Sequence, residues 1–252
     1  MSPTLSGYFL GRRPYRPIFE LMMRAHEARK NGSIGDVVLL LEHDPVITLG
    51  SGAKKSHLLA NDETLAKLGI DVVETRRGGD VTLHAPGQLV AYPILDLNPD
   101  KRDVRKYVAA LTDVMRQLVS AHGIGAGTRE GMIGLWADRQ HPFLWPGEQA
   151  ASQPEKLGAV GVRISRWVTA HGFALNLATD LSLFSLIVPC GIQDFGVSSV
   201  HEMVGATPDL HTEAKRALSI FGEVFQRPVS ALVDLSAAPT ERIDSRLGID
   251  ES

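Results

Sequence analysis

Hydrophobic and polar positions alternate with helical spacing in four segments of the chain. They lie at residues 17–30, 62–68, 104–118 and 212–226. In the first, Ile18, Leu21, Met22 and Ala25 share one face, and the third carries the longest apolar stripe, so both are predicted to be amphipathic helices. Asp62 and Thr212 are the expected N-caps of the second and fourth. The residues expected to end the four helices are Asn31-Gly32, Gly69, Gly123 and Pro228.

Continuous apolar runs of strand length separate these helices. We predict strands at residues 37–41, 72–75, 89–97 and 132–137, and a pair of strands within 160–177 joined near Ser165-Arg166. Pro93 places a bulge or a sheet edge in the third strand, because proline cannot donate to a ladder. Residues 140–154 contain three prolines and no periodicity, which predicts a loop.

The order of these elements is mixed, without strict β-α-β alternation, repeats or a linker. We therefore expect one α/β (α+β) domain with a mixed central sheet over residues 1–234. Residues 235–252 are polar and irregular, and are expected to form a loose C-terminal tail.

Composition excludes several function classes. The 252 residues are 44% hydrophobic and 22% charged, with a net charge of −3, so no basic field suggests nucleic-acid binding. The single cysteine cannot form an internal disulfide, which suits a reducing cytoplasm. Residues 1–15 lack an apolar core of signal-peptide length, and no stretch approaches the roughly 18 apolar residues of a membrane span, so we expect neither. The nine histidines lack metal-ligand spacing, and no P-loop occurs, so we expect neither a metal nor a bound cofactor.

Candidate chemistry concentrates in four places. Residues 76–88 combine Gly78-Gly79 with His84, which could line a ligand site or form an ordinary hairpin turn. Lys156 opens a small-residue strand, a position where lysine is usually a solvated surface charge. His171-Gly172 could line a pocket or sit in the core. Cys190, between Pro189 and Gly191, could be a nucleophile or a small buried hydrophobe.

Five motifs carry these residues in a specific order along the chain. They are Arg77-Gly78-Gly79-x-x-Thr82-x-His84-x-Pro86-Gly87-Gln88, Tyr92-Pro93, Lys156-x-x-Ala159-x-Gly161-Val162-Arg163, His171-Gly172-x-Ala174-Leu175-Asn176 and Pro189-Cys190-Gly191. Together they resemble the lipoyl(octanoyl) transferase family, also called the lipoate-protein ligase B family. The resemblance covers roughly residues 37–201.

The resemblance implies a fold like the catalytic domain of biotin and lipoate ligases, and a reaction without ATP. An octanoyl group would pass from octanoyl-acyl carrier protein to Cys190. It would then pass to a lysine of a lipoyl domain, on a 2-oxoacid dehydrogenase or the glycine cleavage H protein. Lys156 would hold the Cys190 thiolate and accept a proton from the incoming lysine. The implied substrate-binding residues are Arg77, Gly78, Gly79, Asp80, Val81, Thr82, Leu83, His84, Ala159, Val160, Gly161, Gly172, Phe173 and Ala174.

Two positions depart from the family pattern. Ala85 replaces a usual glycine and Leu83 a common aromatic residue, and both are expected to alter the acyl pocket. Amides near Gly78 and Gly79, or near Gly161, could stabilise the oxyanion. Basic residues are candidates for docking an acidic carrier or lipoyl domain. They are Arg12, Arg13, Arg16, Lys54, Lys55, Lys101, Arg102, Arg105 and Lys106.

Three other functions fit parts of this pattern. An ATP-dependent lipoate or biotin ligase of the same fold would not need Cys190. A cysteine hydrolase would pair Cys190 with His84 or His171 and release free acid. A non-catalytic module that binds acyl carriers would contain an unreactive thiol.

Overall fold

A mixed β-sheet runs through the protein, and helices cover both of its faces. The architecture is that of a computed structural model, which describes residues 4–98, 102–189 and 195–249. Its strands are β1 (Leu5–Arg13), β2 (Asp36–His43), β3 (Val46–Leu49), β4 (Asp71–Glu74), β5 (Val81–His84), β6 (Gln88–Ile94), β7 (Ala126–Arg129), β8 (Met132–Asp138), β9 (Pro154–Ser165), β10 (Val168–Asn176) and β11 (Val233–Asp234). Its helices are α1 (Tyr15–Lys30), α2 (Asp62–Leu68), α3 (Val104–Ser120), α4 (Val200–Val204), α5 (Leu210–Val224) and α6 (Ile243–Leu247).

Within these residues, eight strands form the main sheet in the order β11-β1-β2-β6-β10-β9-β8-β7. Strand β1 is parallel to β2 and β11, and the other neighbours are antiparallel. A smaller sheet, β4-β3-β5, carries the Gly78-Gly79 segment between β4 and β5. The predicted mixed α/β class is confirmed.

Two apolar layers hold the helices on the main sheet. Helices α3 and α5 cover one face, where Phe173 of β10 stacks on Phe221 of α5 at 5.9 Å between ring centroids. Helices α1 and α6 cover the other face through residues such as Ile18 and Ile243, both fully buried. Burying one such side chain contributes about 1.5–3 kcal/mol, so each layer anchors its helices firmly.

The predicted helices all form, but three begin earlier than expected: α1 begins at Tyr15 instead of residue 17, and α2 and α5 have earlier caps. Asn61 rather than Asp62 caps α2, accepting from the Thr64 amide, and Asp209 rather than Thr212 caps α5. An N-cap side chain accepts from the amide three residues ahead. Thr212 is that third residue, and its amide donates to Asp209 Oδ1 at 2.8 Å.

Strand β6 lies between β2 and β10, so Pro93 is not at a sheet edge, which was one of the two positions expected for it. Proline has no amide hydrogen, and the hydrogen bond that is lost is one between β6 and β10. Pairing with β10 is interrupted between the Phe173–Ala91 pair and the Asp96–Val168 bridge. Across this gap Thr169 Oγ1 donates to the Pro93 carbonyl at 2.7 Å and accepts from the Leu95 amide at 2.9 Å.

The expectation of a loose tail is wrong for residues 235–249. Ile243 and Leu247 of α6 are buried against α1, together with Leu235. The Arg13 guanidinium donates to the carbonyls of Leu235 and Ala238 at 2.9 and 2.7 Å. Apolar residues spaced four apart within a polar segment therefore suffice to dock a short helix.

Along the described part of the chain, no helix is long and apolar enough to cross a membrane. The same residues contain no cluster of three His, Cys, Asp or Glu side chains able to hold a metal ion.

Candidate active site

A cleft lies between the glycine segment and the sheet, and we call it the main cleft; its volume is about 460 Å³, including the part open to solvent. It is lined by Arg77, Gly79, Asp80, Thr82, His84, Tyr92, Ala159, Val160, Gly161, His171, Gly172, Phe173 and Ala174. The structure thus brings together most of the predicted substrate-binding residues from three separate segments.

Gly78, Val81 and Leu83 belong to the predicted set but do not line the cleft. Val81 and Leu83 point to the other side of β5, because side chains alternate along a strand, and both are fully buried. Ala85 lies in the same small core and has no positive φ. The expectation that Leu83 and Ala85 form the wall of the acyl pocket is therefore wrong.

The glycine segment is fastened directly to the sheet. The Gly78 amide donates to the Val162 carbonyl of β9 at 2.8 Å. This amide was one of those expected to stabilise an oxyanion, and its hydrogen bond to the sheet makes it unavailable for that role. The Arg77 guanidinium is buried and donates to Thr48 O at 2.7 Å and to Thr48 Oγ1 at 2.9 Å. These contacts fix the cleft wall before any ligand arrives.

Two paired glycines allow the wall to lie this close. Gly161 of β9 is opposite Gly172 of β10. A Cβ at Gly161 would lie 3.0 Å from the Gly78 carbonyl oxygen, and one at Gly172 would lie 2.2 Å from the Ala91 carbonyl oxygen. A larger residue at either position would push the backbone apart, and at Gly161 it would move the cleft wall.

Three buried histidines with lowered pKa values surround the inner part of the cleft. Burial lowers the pKa of His43 to about 4. Burial lowers the pKa of His84 to about 3, aided by the neighbouring His43. Burial also lowers the pKa of His171 to about 3, aided by the Arg77 and Arg163 charges. All three imidazoles are therefore neutral at pH 7.

Hydrogen bonds assign the tautomers of two of these rings. His43 Nδ1 donates to the Arg13 carbonyl at 3.0 Å, so its Nε2 accepts from the Tyr92 hydroxyl at 2.9 Å. His84 Nδ1 donates to Gln88 Oε1 at 2.7 Å. His43 was not among the sequence candidates. The signal that could have found it is a polar residue ending a buried apolar strand.

A second recess adjoins the main cleft, and we call it the lysine recess; its volume is about 300 Å³, including the part open to solvent. The two share Thr82, Ala159 and Ala174. The remaining lining residues of the recess are Gln88, Lys156, Gly158, Asn176, Phe184, Pro189 and Val197. Lys156 is only 5% exposed, so the surface position usual for lysine does not apply to it.

Strand β8, which pairs with β9, makes room for the Lys156 side chain. Its Nζ lies 5.6 Å from the centre of the Trp136 ring, a cation–π contact. Gly134 of β8 has φ +135°, and a Cβ there would lie 2.5 Å from Lys156 Cε. The Lys156 backbone bonds to Gly196 and Ser198, both at 2.9 Å. Sequence reasoning identified neither Trp136 nor Gly134 as part of this site.

A chain of amide side chains connects the two spaces. Gln88 Nε2 donates to Asn176 Oδ1 at 2.9 Å, and Asn176 Nδ2 donates to the Ser198 carbonyl at 3.0 Å. Because Gln88 also bonds to His84, the wall of the main cleft and the support of Lys156 form one network. Such satisfied buried networks hold their members in a single arrangement.

The predicted nucleophile, Cys190, and the following Gly191 lie outside the described residues. Pro189, which precedes Cys190, lines the lysine recess. Of the predicted docking residues, Lys101 also lies outside the described part of the chain. Arg13 binds carbonyls of the C-terminal segment, and Arg12 pairs with Asp44 at 2.7 Å.

Comparison with known proteins shows clear relatives. Residues 14–222 match the lipoyl protein ligase A/B catalytic domain. An octanoyltransferase of Myxococcus xanthus is 48% identical over 202 residues, which is 80% of this chain and 54% of that protein. The chain thus spans about half the length of this relative. One from Chloroflexus aggregans is 41% identical over 231 residues, covering 91% of this chain and 99% of that protein.

Solved structures share the fold at low sequence identity. A lipoate-protein ligase A bound with ATP is 13% identical, with a TM-score of 0.67 over 100% of this chain and 96% of that one. A bipartite lipoate protein ligase from Thermoplasma acidophilum is 14% identical, with a TM-score of 0.66 over 100% of this chain and 98% of that one.

Proposed function

Because this chain belongs to the octanoyltransferase group of the lipoyl protein ligase A/B catalytic-domain family, we propose that it moves an octanoyl group between two proteins through Cys190. The donor is octanoyl-acyl carrier protein, and the intermediate is a thioester on the Cys190 sulfur. The acceptor is the ε-amine of a lysine on a lipoyl domain, either of a 2-oxoacid dehydrogenase complex or of the glycine cleavage H protein.

One observation carries this proposal: the recess that contains the buried Lys156 shares three lining residues with the main cleft and has Pro189 in its wall. Consecutive Cα atoms are about 3.8 Å apart, so Cys190 follows Pro189 within one peptide length. A thiol close to an ammonium group favours the thiolate form, which is the nucleophile. The acyl chain would occupy the main cleft next to it.

In the first step, the Cys190 thiolate attacks the thioester carbonyl of the donor. A carbon–sulfur bond forms to Cys190 and the bond to the carrier thiol breaks. The departing carrier sulfur takes a proton from the Lys156 ammonium, which leaves Lys156 as a neutral amine. One thioester replaces another, so the step needs no ATP.

In the second step, the acceptor amine attacks the Cys190 thioester. An amide bond forms and the Cys190 sulfur leaves as a thiolate. The proton that the attacking nitrogen loses goes to the Lys156 amine, which restores the starting ion pair. Lys156 thus gives one proton and takes one proton in each cycle.

The neutral histidines suit an apolar acyl chain in the main cleft. With pKa values of about 3, His84 and His171 carry no charge at pH 7. The same values argue against the cysteine hydrolase alternative. A general base is most effective with a pKa close to the working pH, and both rings lie well below it.

The proposal is tested by mixing the protein with octanoyl-acyl carrier protein and a lipoyl domain, without ATP. We expect octanoylation of one acceptor lysine, and no product from Cys190→Ala. Octanoylation that requires ATP and free octanoate, and that persists in Cys190→Ala, would establish the ligase alternative instead. Release of free octanoate at a comparable rate without an acceptor would establish the hydrolase.

A further inference from the structure

A third cleft lies on the other side of the glycine segment, and we call it the outer cleft. Its volume is about 1,030 Å³, including the part open to solvent. Leu49, Ala53 and Leu58 provide apolar lining. The exposed side chains of Lys54 and Lys55 also line it. The lining therefore combines an apolar surface with two ammonium groups.

The outer cleft shares a wall with the main cleft. The Gly50 amide donates to the Asp80 carbonyl at 3.1 Å, and the Gly52 amide donates to the Gly79 carbonyl at 3.0 Å. The Lys54 amide donates to Asp80 Oδ1 at 3.2 Å. Asp80 and Gly79 line the main cleft, so these hydrogen bonds join the walls of the two clefts directly.

The outer cleft also lies beside the segment that leads to the proposed nucleophile. Leu58, in its lining, forms an antiparallel bridge with Ile187. The Val188 amide donates to the His57 carbonyl at 2.8 Å. A donor that reaches Pro189 and the lysine recess from this side would pass Lys54 and Lys55.

We propose that the outer cleft binds the phosphate of the thioester-bearing arm of the donor, through Lys54 and Lys55. This inference rests on the proposed function, in which the arm is a phosphopantetheine. Lysine is a common phosphate ligand, acting as a point charge. Glu74 contributes one opposing carboxylate, which leaves two positive groups against one negative group. The apolar lining fits the carbon chain of the arm.

Two other sources of negative charge can be distinguished from the phosphate of the donor. An acidic surface on the carrier would contact the same lysines but would not depend on the arm. An acidic acceptor domain would be affected in the second step only. Thioesters of increasing size distinguish these cases in one experiment.

The experiment measures Cys190 acylation by three donors: octanoyl-pantetheine, octanoyl-phosphopantetheine and the intact carrier thioester. We expect Lys54→Ala and Lys55→Ala each to raise KM for octanoyl-phosphopantetheine about fivefold, as for a partly solvated charge pair. KM for octanoyl-pantetheine should not change. Glu74→Gln should lower KM for the phosphorylated donor. Lys67→Ala, which removes an exposed lysine of α2 outside the cleft, is the matched control.

Equal KM changes for the phosphorylated and unphosphorylated donors, or no change for either, would overturn the proposal. So would an effect confined to the intact carrier, which would assign the lysines to a protein surface. If the wild-type protein accepts octanoyl from none of the donors, the proposed function fails first. Thermal unfolding of each variant separates lost binding from lost folding.

Discussion

Acid should destabilise this protein through the three histidines around the main cleft. His43, His84 and His171 are neutral in the folded state, with pKa values of about 4, 3 and 3, because burial disfavours their charged forms. In the unfolded chain each imidazole has the ordinary pKa of about 6.5. Below pH 6.5 the unfolded state therefore binds more protons than the folded state, and stability falls as the pH falls.

The size of this effect follows from the pKa differences. At pH 5 each unfolded histidine lies 1.5 pH units below its pKa, and each unit is worth about 1.4 kcal/mol. Each of the three thus lowers the free energy of unfolding by about 2 kcal/mol relative to pH 8. Together they remove about 6 kcal/mol, which is comparable to the whole stability of an ordinary domain, about 5–15 kcal/mol. Above about pH 7.5 their contribution is constant.

Urea unfolding followed by tryptophan fluorescence between pH 8 and pH 4.5 measures this slope. The test variant is His171→Asn, because asparagine tolerates the positive φ of 57° at this position. Its slope between pH 4.5 and 5.5 should be smaller by about 1.4 kcal/mol per pH unit. Thr169→Val, a buried change without a titrating group on the same strand, should keep the wild-type slope. Parallel curves for wild type and His171→Asn would refute the reasoning.

Three further predictions concern the lysine recess and the C-terminal segment. Lys156→Ala should slow Cys190 acylation strongly at pH 7 and less at pH 9, where the thiol ionises unaided. An equal loss at both pH values in stopped-flow assays would contradict the role of Lys156 in stabilising the thiolate. Gly134→Ala should lower the melting temperature and the acylation rate together, since its Cβ would meet Lys156 Cε at 2.5 Å; an unchanged rate would contradict the need for that space. Ile243→Ala should reduce the free energy of unfolding in urea by about 2–5 kcal/mol, because the side chain is fully buried; a loss below about 0.5 kcal/mol would show that α6 is not docked.

Local periodicity was enough to predict the elements that carry strong patterns. The apolar stripes of α1 and α3 and the β9–β10 hairpin follow directly from it. Strand β1 was missed because Gly7 interrupts its pattern, and the structure shows why glycine stands there. A Cβ at Gly7 would lie 2.4 Å from a methyl carbon of Leu218, so α5 packs directly on the strand backbone.

Site residues that belong to a motif within one segment could be predicted from the sequence. Contacts that depend on the order of strands in the sheet could not. His43, His84 and His171 are far apart in sequence. Strands β2 and β10, which carry His43 and His171, both flank β6 in the main sheet, and the short turn from β5 to β6 brings His84 beside them. Burial of Lys156 depends on Gly134 and Trp136 of the adjacent strand, whose register no local pattern reveals. Side-chain alternation in β5 similarly places Leu83 away from the cleft.

The central claim is that Cys190 carries the octanoyl group, and one measurement tests it directly. The protein is mixed with octanoyl-acyl carrier protein alone, and its intact mass and peptide map are recorded before and after addition of a lipoyl domain. We expect a single octanoyl adduct on the Cys190 peptide that disappears when the acceptor is added. An absent adduct, one on another residue, or one that the acceptor does not remove would contradict the account.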